Sequence, residues 1–296
     1  SKEILDRLID AYRKIRNTFR YVLGNLNGFD PDQDLLEYEQ LLDLDKWALF
    51  RLYGAMKDIT ANFDKYEFAK VTRTVYTFCN EDLSSFYLDI LKDRLYTSAA
   101  QSQERRSAQT VLYHTLNHLV RVLAPILSFT AEEIYAASPK DVSTKDISSV
   151  HLLGWLDPSN IWANREVEEQ FKLLAELRPF VMKALEDKRR EGEIGSSLQA
   201  KIVFKTASER DLKYLMENER ILPSAFIVSQ VEITKAEAVD EGLSEEFSRT
   251  AVVIEKADGE KCSRCWNYKS EVGKDTEHPA LCGRCCEIVK EIQTGV

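Results

Sequence analysis

The stretch Ile4-Leu5-Asp6-Arg7-Leu8-Ile9-Asp10-Ala11-Tyr12-Arg13-Lys14-Ile15-Arg16-Asn17-Thr18-Phe19-Arg20-Tyr21-Val22-Leu23 decides the fold of the larger part of this chain. Its apolar residues, from Ile4 and Leu5 through Ile15 and Phe19 to Val22 and Leu23, recur at steps of three and four, which lays one continuous apolar face along a helix. Gly24 and Gly28 end that helix, and Asp30-Pro31 opens a loop. The periodicity then repeats. A second helix is expected from about Asp45, with Trp47, Phe50, Tyr53, Met56 and Ile59 inward. A third should run from about Asp64 to Tyr96 through Val71, Val75, Phe78, Leu83, Phe86 and Ile90, with a bend or break near residues 80–84. The next spans about Glu104 to Ala124 and is stopped or kinked by Pro125. Thr130-Ala131-Glu132-Glu133 has capping-box spacing, so a fresh helix is expected from there to Ala137. Short links between long amphipathic helices favour an antiparallel bundle over residues 1–140.

Beyond the bundle, polar residues and prolines thicken, and 141–163 reads as a linker. A charge-rich helix is expected from about Asn164 to Arg190, kinked at Pro179. After Gly192 and Gly195 the period changes: Leu198–Phe204 reads as a strand, Ser208–Asn218 as a helix, Phe226–Ile233 and Ala251–Glu255 as strands. The expected fold is therefore mainly α: an antiparallel helical bundle, then a small α+β unit over 164–257, then a cysteine-bearing tail over 258–296.

That tail carries Lys261-Cys262-Ser263-Arg264-Cys265-Trp266 and Leu281-Cys282-Gly283-Arg284-Cys285, two Cys-x-x-Cys pairs sixteen residues apart. Two such turns complete the four-sulfur tetrahedral shell that zinc prefers, and a closed shell leaves no catalytic position. Gly283 is placed inside the second turn, where a positive φ costs least. Redox disulfides, an iron–sulfur cluster or chance proximity are the competing readings; paired spacing favours one structural zinc on Cys262, Cys265, Cys282 and Cys285. Lys261, Arg264 and Arg284 beside Trp266 are what a nucleic-acid backbone and an unstacked base require. Cys286 abuts the last proposed ligand and Cys79 lies on a helical pattern, a usage that fits a reducing compartment.

A formal net charge of -9 argues against a general polyanion binder, so any nucleic-acid contact must be local. No apolar run is long enough to span a bilayer, and a cytoplasmic protein is the default expectation. The first methionine is Met56, which suggests a piece of something longer.

Other polar clusters have bland readings. Arg16, Asn17 and Arg20 on one side of the first helix can grip successive phosphates, or form a solvated face with salt bridges. His114 and His118 are four apart, but Thr115 stands where the protease pattern needs glutamate, so they read as surface or interface histidines. His278 lies between the knuckles, whose shell four cysteines already fill. Arg105-Arg106 and Lys188-Arg189-Arg190 sit among acids and read as solvated faces. No glycine pattern cradles a nucleotide and no set of nucleophile, base and orienter can be assembled, so the chain reads as a binding and positioning unit with no catalytic residue.

Several of these stretches together are similar to one family. Ala11–Arg20, Asp82–Asp89, Leu123–Leu127 with Thr130–Glu133, and the ending Gly259–Cys285 resemble the C-terminal half of bacterial isoleucyl-tRNA synthetases. One departure is Cys286, where that family usually has another residue. The resemblance implies an anticodon-binding bundle and a zinc-bearing tip that approaches the anticodon stem-loop, with Arg264 and Trp266 foremost and Arg16, Asn17 and Arg20 also facing tRNA. It implies that the whole enzyme joins isoleucine to its tRNA at the expense of ATP, as a monomer, with the ATP-binding and editing parts upstream in cis, so that this chain binds no ATP and is catalytically inactive by itself. Similar knuckles also resemble those of formamidopyrimidine-type DNA glycosylases, which need an N-terminal catalytic proline that this chain lacks.

Overall fold

The computed structural model describes residues 2–239 and 242–294. Ser1 of the expected bundle and the last two residues of the expected zinc tail lie outside them. The chain divides into two compact units, Ser1–Phe171 and Lys172–Val296. Among the described residues no helix is long and apolar enough to cross a membrane.

The first unit is the helical bundle. Its helices are α1 (Lys2–Asn25), α2 (Asp43–Asp64), α3 (Phe68–Thr77), α4 (Leu88–Thr97), α5 (Gln103–Leu123) and α6 (Ser128–Ala137). α1 buries Ile15, Phe19 and Val22; α2 buries Trp47, Leu52, Met56 and Ile59; Trp47 meets Phe86 edge-on with ring centroids 4.8 Å apart. The break expected near residues 80–84 is a π-helical stretch, Phe78–Tyr87, in which Ser84 and Ser85 Oγ donate to the carbonyls of Cys79 and Asn80, five residues back. The helix before it starts at Phe68, because α2 continues to Asp64 and Tyr66 turns the chain at φ 57. α6 starts at Ser128, a turn's start earlier than the capping-box reading. Ala131 N already donates to Leu127 O, and Thr130 Oγ1 lies 3.1 Å from the Tyr12 hydroxyl.

α5 is the spine, buried from Arg106 to Leu123 except at His114 and Asn117. Its polar side chains hold the surrounding loops: Ser107 Oγ accepts from Leu42 N, Thr110 Oγ1 accepts from Leu36 N, and Gln109 Nε2 donates to Asn25 O. Next to it, fully buried Asp45 receives two hydrogen bonds from Arg94, at 2.8 and 2.9 Å, one from Tyr87 at 2.6 Å and one from Ser107. Such a satisfied buried carboxylate fixes four chain segments at once. The 141–163 stretch packs on the bundle: Tyr113 donates to Asp141, Arg121 to Gly154 O, and buried Trp162 lies against His114 and His118.

In the second unit α7 (Arg165–Arg190, its first residues belonging to the first unit) buries Leu174, Leu177, Val181 and Leu185 at helical spacing. A three-stranded sheet follows, with β1 (Ala200–Thr206) between parallel β2 (Gln230–Lys235) and antiparallel β3 (Thr250–Lys256). α8 (Glu209–Glu217) is capped by Ser208, whose Oγ accepts from Asp211 N. Phe226 and Ile227 do not open the next strand. Pro223 seeds a short helix, α9 (Leu222–Phe226), that ends with Ile227 at φ 57.

Candidate metal centre and nucleic-acid face

The tip is a small hairpin facing the start of a helix. β4 (Glu260–Lys261) pairs with β5 (Tyr268–Lys269), and the turn between them carries Cys262 and Cys265. Cys262 N donates to Asn267 O and Trp266 N to Cys262 O, both at 2.9 Å. Gly259 enters the hairpin at φ 87, where an added Cβ would meet the Lys269 carbonyl carbon at 2.4 Å. The second pair lies at the start of α10 (Gly283–Thr294), with Cys282 just before it and Cys285 in its first turn. Gly283 is therefore helical and is not among the left-handed residues; the knuckle's left-handed position is Trp266, at φ 64.

The four Sγ atoms lie within 4.8 Å of one another and all four residues are buried. The Cys265 and Cys282 sulfurs are 3.8 Å apart. A tetrahedron of about 2.3 Å zinc–sulfur bonds has edges of about 3.8 Å, whereas a disulfide needs about 2.05 Å. All six cysteines are free thiols. Burial lifts the Cys282 and Cys285 thiols above the usual cysteine range. Burial also opposes ionisation of Cys262, but backbone N–H groups of Cys265, Cys282 and Arg264 outweigh it and bring that thiol down to about 6. Ionising all four cysteines in so small a volume requires a cation among them, and a dication supplies it. Spacing, burial and donor chemistry fit one structural zinc. Cys286 is outside this set: its Sγ points to the carbonyls of His278 and Leu281, each 3.8 Å away. His278 is outside it too.

Around the cluster, Trp266 is 60% exposed, and Lys261 Nζ stands 5.2 Å from its ring centroid. Arg264 is half-buried, with Nη1 3.7 Å from Cys285 Sγ, so one face of its guanidinium serves the sulfur shell. Arg284 is exposed on the first turn of α10. In the first unit, Arg16, Asn17 and Arg20 are all exposed on α1.

The other expected candidates fall elsewhere. His118 is buried and His114 half-buried, with Trp162 against both rings, and burial pushes His114 down to about 4. Arg106 is not a solvated cation but 7% exposed, paired with Asp34 at 3.0 Å and stacked over Phe29. Lys188, Arg189 and Arg190 pair with Glu191 and Glu193, Glu186 and Asp187. The buried polar contacts of α5 and of Asp45 had no signal in local spacing.

Residues 45–204 match a family model described as the anticodon-binding domain of tRNA ligase, and residues 259–287 match one described as the zinc finger found in FPG and IleRS. The chain is 46% identical over 292 residues to an isoleucine–tRNA ligase of Syntrophotalea carbinolica, and 43% identical to those of Thermoanaerobacter sp. over 293 residues and Geobacter sulfurreducens over 290. Each alignment covers 98% of this chain and 31% of the relative, so the chain spans about a third of the length of these ligases. With the family model covering the greater part of the bundle and reaching into β1, the chain belongs to the family of tRNA-ligase anticodon-binding domains.

Proposed function

We propose that this chain is the tRNA-recognition portion of an isoleucine–tRNA ligase, whose whole polypeptide attaches isoleucine to its tRNA using ATP in the cytoplasm. The observation that carries the reading is the succession, in one chain, of an anticodon-binding match and a zinc-finger match, aligned with isoleucine–tRNA ligases over 98% of its length. In this reading residues 1–140 receive the anticodon stem-loop, 141–163 and 164–257 join the bundle to the tip, and 258–296 form the tip. Zinc on the four cysteines holds the knuckle's shape. Trp266 stacks on an unpaired base, Lys261 and Arg284 meet phosphates, and the outward part of Arg264 does the same. Arg16 and Arg20 add phosphate contacts along α1, with Asn17 hydrogen-bonding beside them. A chain of net charge -9 with a few local cations suits recognition of a loop by stacking and base edges rather than bulk attraction. Adenylate formation and editing belong to the rest of the polypeptide, and the ligase works as a monomer.

The test is a salt-resolved titration of the zinc-loaded chain with isoleucine tRNA, a noncognate tRNA and duplex DNA. Isoleucine tRNA is expected to bind best, and Arg16→Ala or Arg20→Ala to lower the log–log salt slope by about one unit each. Duplex DNA binding as well as tRNA would instead favour a DNA-contact module, the other protein type named in the zinc-finger match. If Lys261, Arg264 and Trp266 can all be replaced without loss of tRNA affinity, the tip is a structural cap, a role to which the Arg264–Cys285 contact already lends support.

A further inference from the structure

The first unit holds a cavity of about 570 Å³ that is separate from α1 and its arginines. Its size is that of a small-molecule site, for which about 300–1,000 Å³ is usual. Tyr38 and Lys46 reach it from the 3-10 turn Tyr38–Gln40 and the start of α2. Ile161, Asn164 and Val167 reach it from the turn Asn160–Trp162 and the start of α7. These walls are tied down. Gln103 Nε2 on α5 donates to Gln40 O at 2.7 Å, and Asn164 Oδ1 accepts from Glu166 N at 3.0 Å and Val167 N at 3.4 Å. The cavity is therefore pre-formed.

Its polar groups have bonding capacity left over. The Lys46 side chain is only 19% exposed, yet its nearest carboxylate, Asp43, is 3.8 Å away, and among the described residues its ammonium makes no hydrogen bond. It stands near the N-terminus of α2, where the helix dipole disfavours a cation, so it does not serve that helix. Lys46 Nζ lies 5.8 Å from the centroid of the Tyr38 ring. The Tyr38 hydroxyl is covered and meets no partner at hydrogen-bonding distance, the Asn164 side chain acting on it from farther off. With its oxygen used at the start of α7, Asn164 keeps its amide nitrogen as a donor.

Charge selects the ligand. Glu39, Asp43 and Glu166 also line the cavity, and all three are exposed. They outnumber the single ammonium, so a phosphate meets net repulsion, while the most covered charge is that of Lys46, which repels a cationic amine. A neutral, flat molecule with acceptors and donors on one edge suits both, and a nucleobase is such a molecule.

We propose that this cavity is a nucleobase pocket, in which the base lies against the Tyr38 ring and Ile161, Lys46 and the Asn164 amide donate to its acceptors, and a carboxylate accepts from its N–H groups. Two sources supply this chemistry, a free nucleoside and an unstacked base of bound tRNA; the second rests on the functional reading above.

Saturation-transfer NMR on the zinc-loaded chain with adenosine, guanosine, cytidine and uridine tests the free source, with ribose 5-phosphate as the anion control. Acylation of Lys46 by an amine reagent, with isoleucine tRNA or an abasic oligonucleotide present, tests the polynucleotide source. The expected result is saturation of base protons more than ribose protons for at least one nucleoside, or several-fold protection of Lys46 by tRNA and not by the abasic strand. Lys46→Met is expected to weaken nucleoside or tRNA binding by about tenfold. Its melting temperature should stay level or rise, because the ammonium makes no hydrogen bond, so lost binding is not lost fold. No saturation from any nucleoside together with an unprotected Lys46 overturns the proposal. Ribose 5-phosphate or the abasic strand acting as well as the bases would make this an anion site and overturn it too, as would undiminished binding in Lys46→Met. If isoleucine tRNA does not bind the chain at all, the functional reading fails, and the nucleosides alone decide the pocket.

Discussion

Trp266 occupies a position that chemistry reserves for glycine, and comparing Trp266→Gly with Trp266→Ala separates what the ring does from what the backbone tolerates. At φ 64 any residue with a Cβ sits in the left-handed region, at a cost of about 1–2 kcal/mol. Alanine keeps that strain and glycine removes it, but glycine also loosens the unfolded chain by about 0.4–1 kcal/mol. The balance leaves the glycine variant's tip more stable than the alanine variant's by about 1 kcal/mol, or roughly fivefold in zinc affinity. Both variants lose the ring and its contact with Lys261 equally. If the ring stacks on a base, both should lose about 1–3 kcal/mol of tRNA affinity. Chelator competition measures the first difference and a tRNA titration at fixed salt the second. An alanine tip that holds zinc as tightly as the glycine tip would refute the strain argument, and unchanged tRNA affinity in both variants would remove the ring from the interface.

Asp45→Ala leaves Arg94 buried without its carboxylate, and the first unit should lose about 3–5 kcal/mol in denaturant unfolding. A loss under 1 kcal/mol would mean that water replaces the carboxylate. Chelating zinc should unfold the 259–290 segment while most helical circular dichroism persists, because the bundle core shares no residue with the cysteine cluster; loss of the whole helical signal would contradict this. Asp141 is held down at about 2: burial opposes ionisation, but hydrogen bonds from Ser143, Tyr113 and Thr144 outweigh it. Its contribution is therefore complete above the ordinary aspartate value of about 4 and is lost as pH falls through about 2. Asp141→Asn should flatten the acid limb of the stability profile, and an unaltered limb would assign it to other carboxylates.

What local pattern can carry, the sequence revealed. The stripe through Ile15, Phe19 and Val22 and the strand 251–255 follow from side-chain periodicity, and the paired cysteines from ligand spacing. Asp45 was invisible for the opposite reason. An acid in a helix's first turn is ordinarily a dipole partner, and Arg94, Tyr87 and Ser107, which bury it, are 42–62 residues away. Thr130 misled because its hydroxyl, free to cap, is used by Tyr12 from another helix. Gly283 misled because the left-handed position in the knuckle moved to a tryptophan, where propensity gives no reason to look. Arg106 read as solvated because its acid, Asp34, and its ring, Phe29, come from a distant loop.

The π-helical stretch Phe78–Tyr87 sets the angular phase between α3 and α4, so the segment works as a coupling between two shafts. Deleting one residue from the last turn of α3, with the wider turn left as it is, would rotate everything beyond it by about 100°. Arg94 would swing away from Asp45, and Leu91 and Leu95 would leave the core. Point substitutions on the exposed side of this stretch leave that phase untouched. Single-residue length changes do not, so chain length, more than residue identity, is the quantity this part of the bundle holds constant.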